Sequence, residues 1–127
     1  MMAEILPSPT RGKVVFSVED LELIAFKIIS GVGAARSSYI EAIQAAKAGD
    51  YDRAEKLIAQ GDESFVEGHD AHTGLLTREA NDGQGSSVTL LILHAEDQLM
   101  SAEAFKIIAQ EFIAAHKRID QLEAKLK

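Results

Sequence analysis

Between Val88 and Leu126 the chain contains neither proline nor glycine. Nothing in that stretch breaks a helix, and at 1.5 Å per residue a continuous helix there would run roughly 55 Å. Such a rod needs partners to cover its apolar face, and the local signals upstream allow two. Ser17-Val18-Glu19-Asp20 reads as an N-cap followed by acids in the first turn. Leu21, Ile24, Ile28, Val32, Ala35, Tyr39 and Ile43 then recur at spacings of three and four. This first helix should stop at Ala48-Gly49-Asp50, where Gly49 suits a left-handed C-terminal position and Asp50 can cap the next helix. A second helical pattern runs through Ala54, Leu57, Ile58, Gly61, Phe65, Leu75 and Leu76 to about Ala80, weakened by Gly61, Gly68 and Gly74. Asn81-Asp82-Gly83-Gln84-Gly85-Ser86-Ser87 has the composition of a loop.

The expected fold is therefore all-α: an antiparallel three-helix bundle over residues 17–127, preceded by an irregular arm, 1–16, that Pro7, Pro9 and Gly12 mark. The stretch AAKAGDYDRAEKLI resembles the turn of a tetratricopeptide-type hairpin. It occurs once, whereas stacked repeats need about three copies, so a capped helix turn is the plainer reading.

Composition narrows the partners. A formal charge of -7 argues against nucleic acid, whose affinity depends on clustered Lys and Arg. There is no cysteine, so no thiolate is available and chemistry falls to His, Asp, Glu, Ser or Thr. The N-terminus lacks the apolar core of a signal peptide, and no later run approaches the ~20 apolar residues that span a bilayer. A cytoplasmic protein without direct membrane insertion is expected.

The third helix carries the candidate chemistry. One row, Leu91, His94, Gln98, Phe105, Ile108, Phe112, Ala115, Ile119, Leu122 and Leu126, reads as plain core in its C-terminal part. An adjacent row, Leu90, Leu93, Asp97, Met100, Ala104 and Ile107, is also apolar apart from the acid. Together they make a stripe wider than one three-helix bundle needs, and another copy of the same chain is the natural cover. His94 and Asp97, three residues apart, lie about 60° from one another round the axis and so face different surfaces. If Asp97 points at a symmetry axis its copies meet there and must share protons or bind a hard divalent cation; the plainer alternative is a local ion pair. His94 is either a hydrogen-bonded core histidine or a nucleophile able to take a phosphoryl or acyl group.

Other candidates are weaker. His69 and His72 form an H-x-x-H beside Asp70, at best half a zinc site and otherwise a solvated face. His116, among Lys117 and Arg118, reads as surface, and KRIDQLEAKLK as a solvated helix end. No Glu-x-x-His pair occurs, which argues against a di-metal carboxylate bundle.

Ser87-Val88-Thr89 followed by Leu93-His94-Ala95-Glu96-Asp97-Gln98-Leu99-Met100 resembles the signature of enzyme IIA of the lactose/cellobiose (N,N'-diacetylchitobiose) class of the bacterial sugar phosphotransferase system. Three further stretches resemble it in order: Gly33-Ala34-Ala35-Arg36-Ser37, Ala45-Ala46-Lys47-Ala48-Gly49-Asp50-Tyr51, and Thr73-Gly74-Leu75-Leu76-Thr77-Arg78-Glu79-Ala80. The likeness runs from about residue 20 to 118. It implies a three-helix subunit assembling as a homotrimer. It implies that His94 accepts a phosphoryl group from HPr and passes it to a cysteine of enzyme IIB during sugar uptake. It also implies that Asp97 gathers on the threefold axis with a divalent cation, Mg²⁺ for preference, one per trimer. Arg36 would either steady phosphate or pair with an acid.

The chain departs from the family pattern H-x-Q-D-H-L-M at Glu96 and Gln98, and has His72 where relatives commonly carry Gln. The apparent exchange predicts that His72 and Gln98 are neighbours near His94, as supporting partners of the acceptor. Glu96 should slow transfer unless it points to solvent. The competing reading is a non-catalytic helical protein-interaction module.

Overall fold

The computed structural model describes residues 17–82 and 89–127. The arm expected over 1–16 and most of the loop expected over 81–87 lie outside the described residues. Three helices succeed one another: α1 (Val18–Lys47), α2 (Tyr51–Asp82) and α3 (Leu90–Leu126). There is no strand among the described residues.

The helix ends obey the sequence signals closely. Ser17 Oγ accepts the Asp20 N–H at 3.1 Å while the Ser17 N–H donates to Asp20 Oδ2 at 3.2 Å, which closes a capping box. At the far end of α1, Gly49 takes φ 80°, and Asp50 donates its N–H back to the Ala45 carbonyl at 2.9 Å. The same Asp50 then caps α2, accepting the Arg53 N–H on Oδ1 at 3.1 Å. Thr89 caps α3 through Oγ1, which accepts the Ile92 N–H at 3.2 Å. That cap places the start of α3 at Leu90, just after the expected Val88, because the threonine hydroxyl satisfies a donor that the helix leaves orphaned.

Helix α1 packs along both of its neighbours, whereas α2 and α3 touch each other sparsely. Small residues make the close approach. A Cβ on Gly31 would lie 2.9 Å from the Gly68 backbone nitrogen, and one on Gly68 would lie 2.8 Å from Val32 Cγ1. Gly68, one of the glycines that weaken the helical pattern of α2, thus lets two backbones meet. Two apolar clusters result. One, toward the α1–α2 turn, holds Tyr39, Leu57, Ile58, Ala109 and Ile113; the other, toward the start of α3, holds Ile28, Val32, Ala95, Leu99 and Ala102. Cross-contacts tie the helix ends. Tyr51 at the start of α2 donates to Asp120 near the end of α3, and His72 in the last third of α2 contacts Glu96 in the second turn of α3.

One expectation is corrected. Phe105 packs half-buried against the core, but the part of its row from Ile108 onward is not core. The buried line of α3 is Ala95, Leu99, Ala102, Ala109 and Ile113, while Ile108, Phe112, Ile119, Leu122 and Leu126 are exposed. The reason is steric: alanines at 95, 102 and 109 let α3 settle close against α1, and the bulkier residues are turned to the flank. The adjacent row is exposed as well, with Leu93, Met100 and Ile107 at 55%, 65% and 63%. A single chain leaves the adjacent row and the C-terminal part of the first uncovered.

No helix among the described residues is long and apolar enough to cross a membrane.

Candidate functional site

His94 sits in the second turn of α3 and is exposed. The first turn of that helix carries no acid, so the positive end of its dipole is not offset locally. Thr89 uses its hydroxyl on the Ile92 N–H and its carbonyl on the Leu93 N–H. Gln98, one turn below His94 on the same face, is half-buried. Asp97 is exposed in the apolar row of Leu93, Met100, Ala104 and Ile107. The histidine therefore stands on the edge between the packed side of α3 and its uncovered side.

Glu96 occupies the other flank. Two residues from His94, it projects about 160° away round the helix, toward α2. There its Oε1 meets Nε2 of His72, whose side chain is 12% exposed against 35% for Glu96. Helical geometry puts Gln98 about 160° round α3 from Glu96. The structure thus brings His72 to Glu96 and sets Gln98 beside His94. The sequence pattern misses this pairing because a helical wheel centred on the larger apolar residues is one residue out of phase. Centred on Ala95, Leu99 and Ala102, the same wheel turns Glu96 toward α2.

Arg36 lies on neither flank of His94. Its guanidinium carbon stacks 4.9 Å from the centroid of Phe105, and its Nε is buried with no hydrogen-bond partner. Phe105 is three turns along α3 from His94, about 16 Å, which puts Arg36 out of reach of a phosphoryl group on the histidine of the same chain. His69 is about half exposed, next to Phe65 and 4.0 Å from Asp70, as a solvated face. His116 stacks on Phe112, and the residues beyond it are exposed.

No three His, Asp or Glu side chains among the described residues of one chain come together in a way that could hold a metal ion. Asp97 contributes a single hard oxygen donor group on the uncovered face. Several copies of it, brought together by symmetry, would form the all-oxygen set that Mg²⁺ or Ca²⁺ favours.

Known proteins share this fold. Residues 23–117 match the family model for the lactose/cellobiose-specific IIA subunit of the phosphotransferase system. The chain belongs to this family. Among its relatives, the lactose-specific EIIA component of Streptococcus mutans is 39% identical over 100 residues, covering 79% of this chain and 95% of that protein. The lichenan-specific phosphotransferase enzyme IIA component of Bacillus subtilis is 40% identical over 103 residues, covering 81% and 93%. The crystal structure of the cellobiose-specific enzyme IIA from Bacillus anthracis superposes with a TM-score of 0.76 at 33% identity, covering 84% of this chain and 95% of that one. The matched span of this IIA subunit includes parts of all three helices, with His94, Asp97 and the His72–Glu96 contact inside it.

Proposed function

We propose that this IIA subunit carries phosphoryl groups on His94, receiving them from phospho-HPr and delivering them to a cysteine of enzyme IIB during uptake of a sugar of the lactose/cellobiose type. The observation that carries the reading is the exposed imidazole at the start of α3, beside an uncovered apolar face, in a chain of this family. A neutral imidazole suits the task because one ring nitrogen offers a lone pair near neutral pH. That pair forms a bond to phosphorus as the donor's P–N bond breaks, and the breaking pair returns to the donor's ring. Delivery reverses the roles: the His94 N–P bond breaks as the cysteine thiolate forms S–P. Charge spreads over the phosphoryl oxygens in the transition state, where the Gln98 amide and the positive end of α3 lower its energy.

The helices form an antiparallel bundle, supported by the meeting of Tyr51 with Asp120 and of His72 with Glu96. The uncovered rows of α3 associate as a homotrimer in the cytoplasm, with no part for nucleic acid or membrane insertion. On the threefold axis the three Asp97 carboxylates hold one divalent cation, Mg²⁺ for preference, whose chemistry there is to neutralise converging negative charge.

The exposed Leu93, Met100 and Ile107 also suit a second reading, a helical interaction module without phosphoryl transfer. Incubation with phosphoenolpyruvate, enzyme I and HPr separates the two. The carrier acquires an acid-labile, base-stable phosphate that His94→Ala abolishes; an unlabelled wild-type protein leaves the interaction module standing.

A further inference from the structure

We infer that Arg36 on α1 of one subunit closes the groove between α2 and α3 of the next, pairing there with Glu103. The inference rests on the proposed homotrimer and extends its interface beyond α3 to all three helices. Two features of the single chain lack partners. The first is Arg36, half-buried with its guanidinium stacked on the Phe105 ring; its Nε is buried without a hydrogen-bond partner, and no acid pairs with it among the described residues. A guanidinium drawn out of water without a counter-charge is costly, and a carboxylate matches its fork of donors.

The second feature is the groove of about 580 Å³, which lies where α2 and α3 touch sparsely. Val66 and Ile107, on its two walls, are each more than half exposed. Among its charges, Lys106 is taken up by Asp62 at 3.0 Å, whereas Glu103 has no ion pair among the described residues. An apolar trough with one spare negative charge fits an apolar surface with one spare cation.

Within one chain the two charges stand apart. Glu103 and Phe105, two residues from one another on α3, project about 160° apart, so Arg36 over Phe105 and Glu103 lie on opposite flanks. Between copies they come together. With Asp97 turned to the axis, Phe105 lies about 80° to one side and Glu103 about 120° to the other. A closed ring is built from heterologous contacts, so each copy offers one flank to the opposite flank of its neighbour, whichever the sense of rotation. Symmetry preserves height along the axis, and residues 103 and 105 differ by only about 3 Å in rise. Neighbouring α3 helices 8–10 Å apart leave guanidinium and carboxylate ~6 Å from one another before either long side chain adjusts.

The apolar surfaces match on the same seam. Ile108 and Phe112, exposed on the Arg36 side of α3, cover Val66 and Ile107 of the adjacent copy. The ion pair then decides which flank meets which and at what level, a role in which charge contributes specificity more than strength. Phe105 is about 16 Å from His94 along α3, so this contact is separate from the phosphoryl acceptor.

Charge reversal and mixing test the pairing. Glu103 is exposed, so Glu103→Arg should fold as wild type does, by circular dichroism, yet need at least about tenfold more protein to form trimers in sedimentation velocity. Arg36→Glu should behave likewise, and the double variant Arg36→Glu/Glu103→Arg should return to within about threefold of wild type. Mixing the two single variants is the decisive arm. Every junction between unlike copies joins opposite charges, so a mixture should form trimers, of mixed composition by native mass, at a concentration where each variant alone is monomeric. An unchanged trimer in Glu103→Arg overturns the pairing and leaves the trimer standing. Rescue by the double variant without rescue by mixing places the pair inside one chain and overturns its sharing between copies. A monomeric wild-type protein overturns the trimer itself and this inference with it.

Discussion

Tyr39 donates a 2.7 Å hydrogen bond to Asp62, and Lys106 closes on the same carboxylate oxygen at 3.0 Å, so one acid ties α1, α2 and α3 together. The three side chains border a groove of about 580 Å³ that also includes Phe65 and Ile107. Burial, reinforced by the hydrogen bond to Asp62 and its charge, holds the Tyr39 phenol well above its ordinary range. Above about pH 10 the unfolded chain releases this proton while the folded chain keeps it. Stability is therefore complete below pH 10 and falls as pH rises beyond it, by about 1.4 kcal/mol per unit for this one group. Tyr51, on Asp120, is pushed up to about 12 and adds to the same alkaline loss. Tyr39→Phe should cost about 1–2 kcal/mol at neutral pH and flatten the alkaline fall relative to wild type. Urea melts between pH 8 and 11.5 measure both effects; equal slopes in the two proteins would contradict the assignment.

Two glycines in helices should respond in opposite senses. A Cβ on Gly61 would stand 2.5 Å from Cε1 and 2.8 Å from Cδ1 of the buried Tyr39 ring, which has no room to retreat. Gly61→Ala should destabilise by about 1–3 kcal/mol. A Cβ on Gly33 meets nothing within 4 Å, so Gly33→Ala should stabilise by about 0.5–1 kcal/mol through helix propensity alone. Thermal melts of the two variants at fixed protein concentration decide the point.

The element boundaries are legible in the sequence because each has a chemical marker: Ser17 with Asp20, Gly49 with Asp50, and the long stretch free of Gly and Pro in α3. The partition of α3 into faces is not. Leu91, Phe105, Phe112 and Ile119 form as good an apolar series as the true core line, and hydrophobicity alone favours the larger side chains. What decides between them is the space beside α1. There Ala25, Ala35 and Ala42 present a low surface that alanines at 95, 102 and 109 can approach. That information is tertiary, and the same error of phase hides the contact of His72 with Glu96. His94, Asp97 and Gln98 stand out by their polarity in an apolar setting, a signal that survives the error.

Met100 tests the uncovered face. It is 65% exposed in the single chain, so Met100→Lys should change the stability of the subunit by no more than about 0.5 kcal/mol. In an assembly through this row the lysine would place a charge in an apolar interface, and the trimer should dissociate at micromolar concentration. Sedimentation velocity with circular dichroism reads the two consequences separately. A lysine variant that remains associated would move the interface elsewhere.

Asp97 presents the opposite case, a charge already on that face. Three carboxylates converging on an axis repel one another unless a cation or shared protons intervene, whereas three amides do not repel. Asp97→Asn should therefore lose the bound divalent ion and still assemble. A chelator should lower the melting temperature of the wild-type trimer and leave that of Asp97→Asn unmoved, because only the wild type needs its repulsion offset. Elemental analysis gives the metal content, and melts with and without chelator give the coupling. If Asp97→Asn retains the ion in full, the carboxylate is not its ligand, and the acid must instead be held by a local cation on the rim of the face.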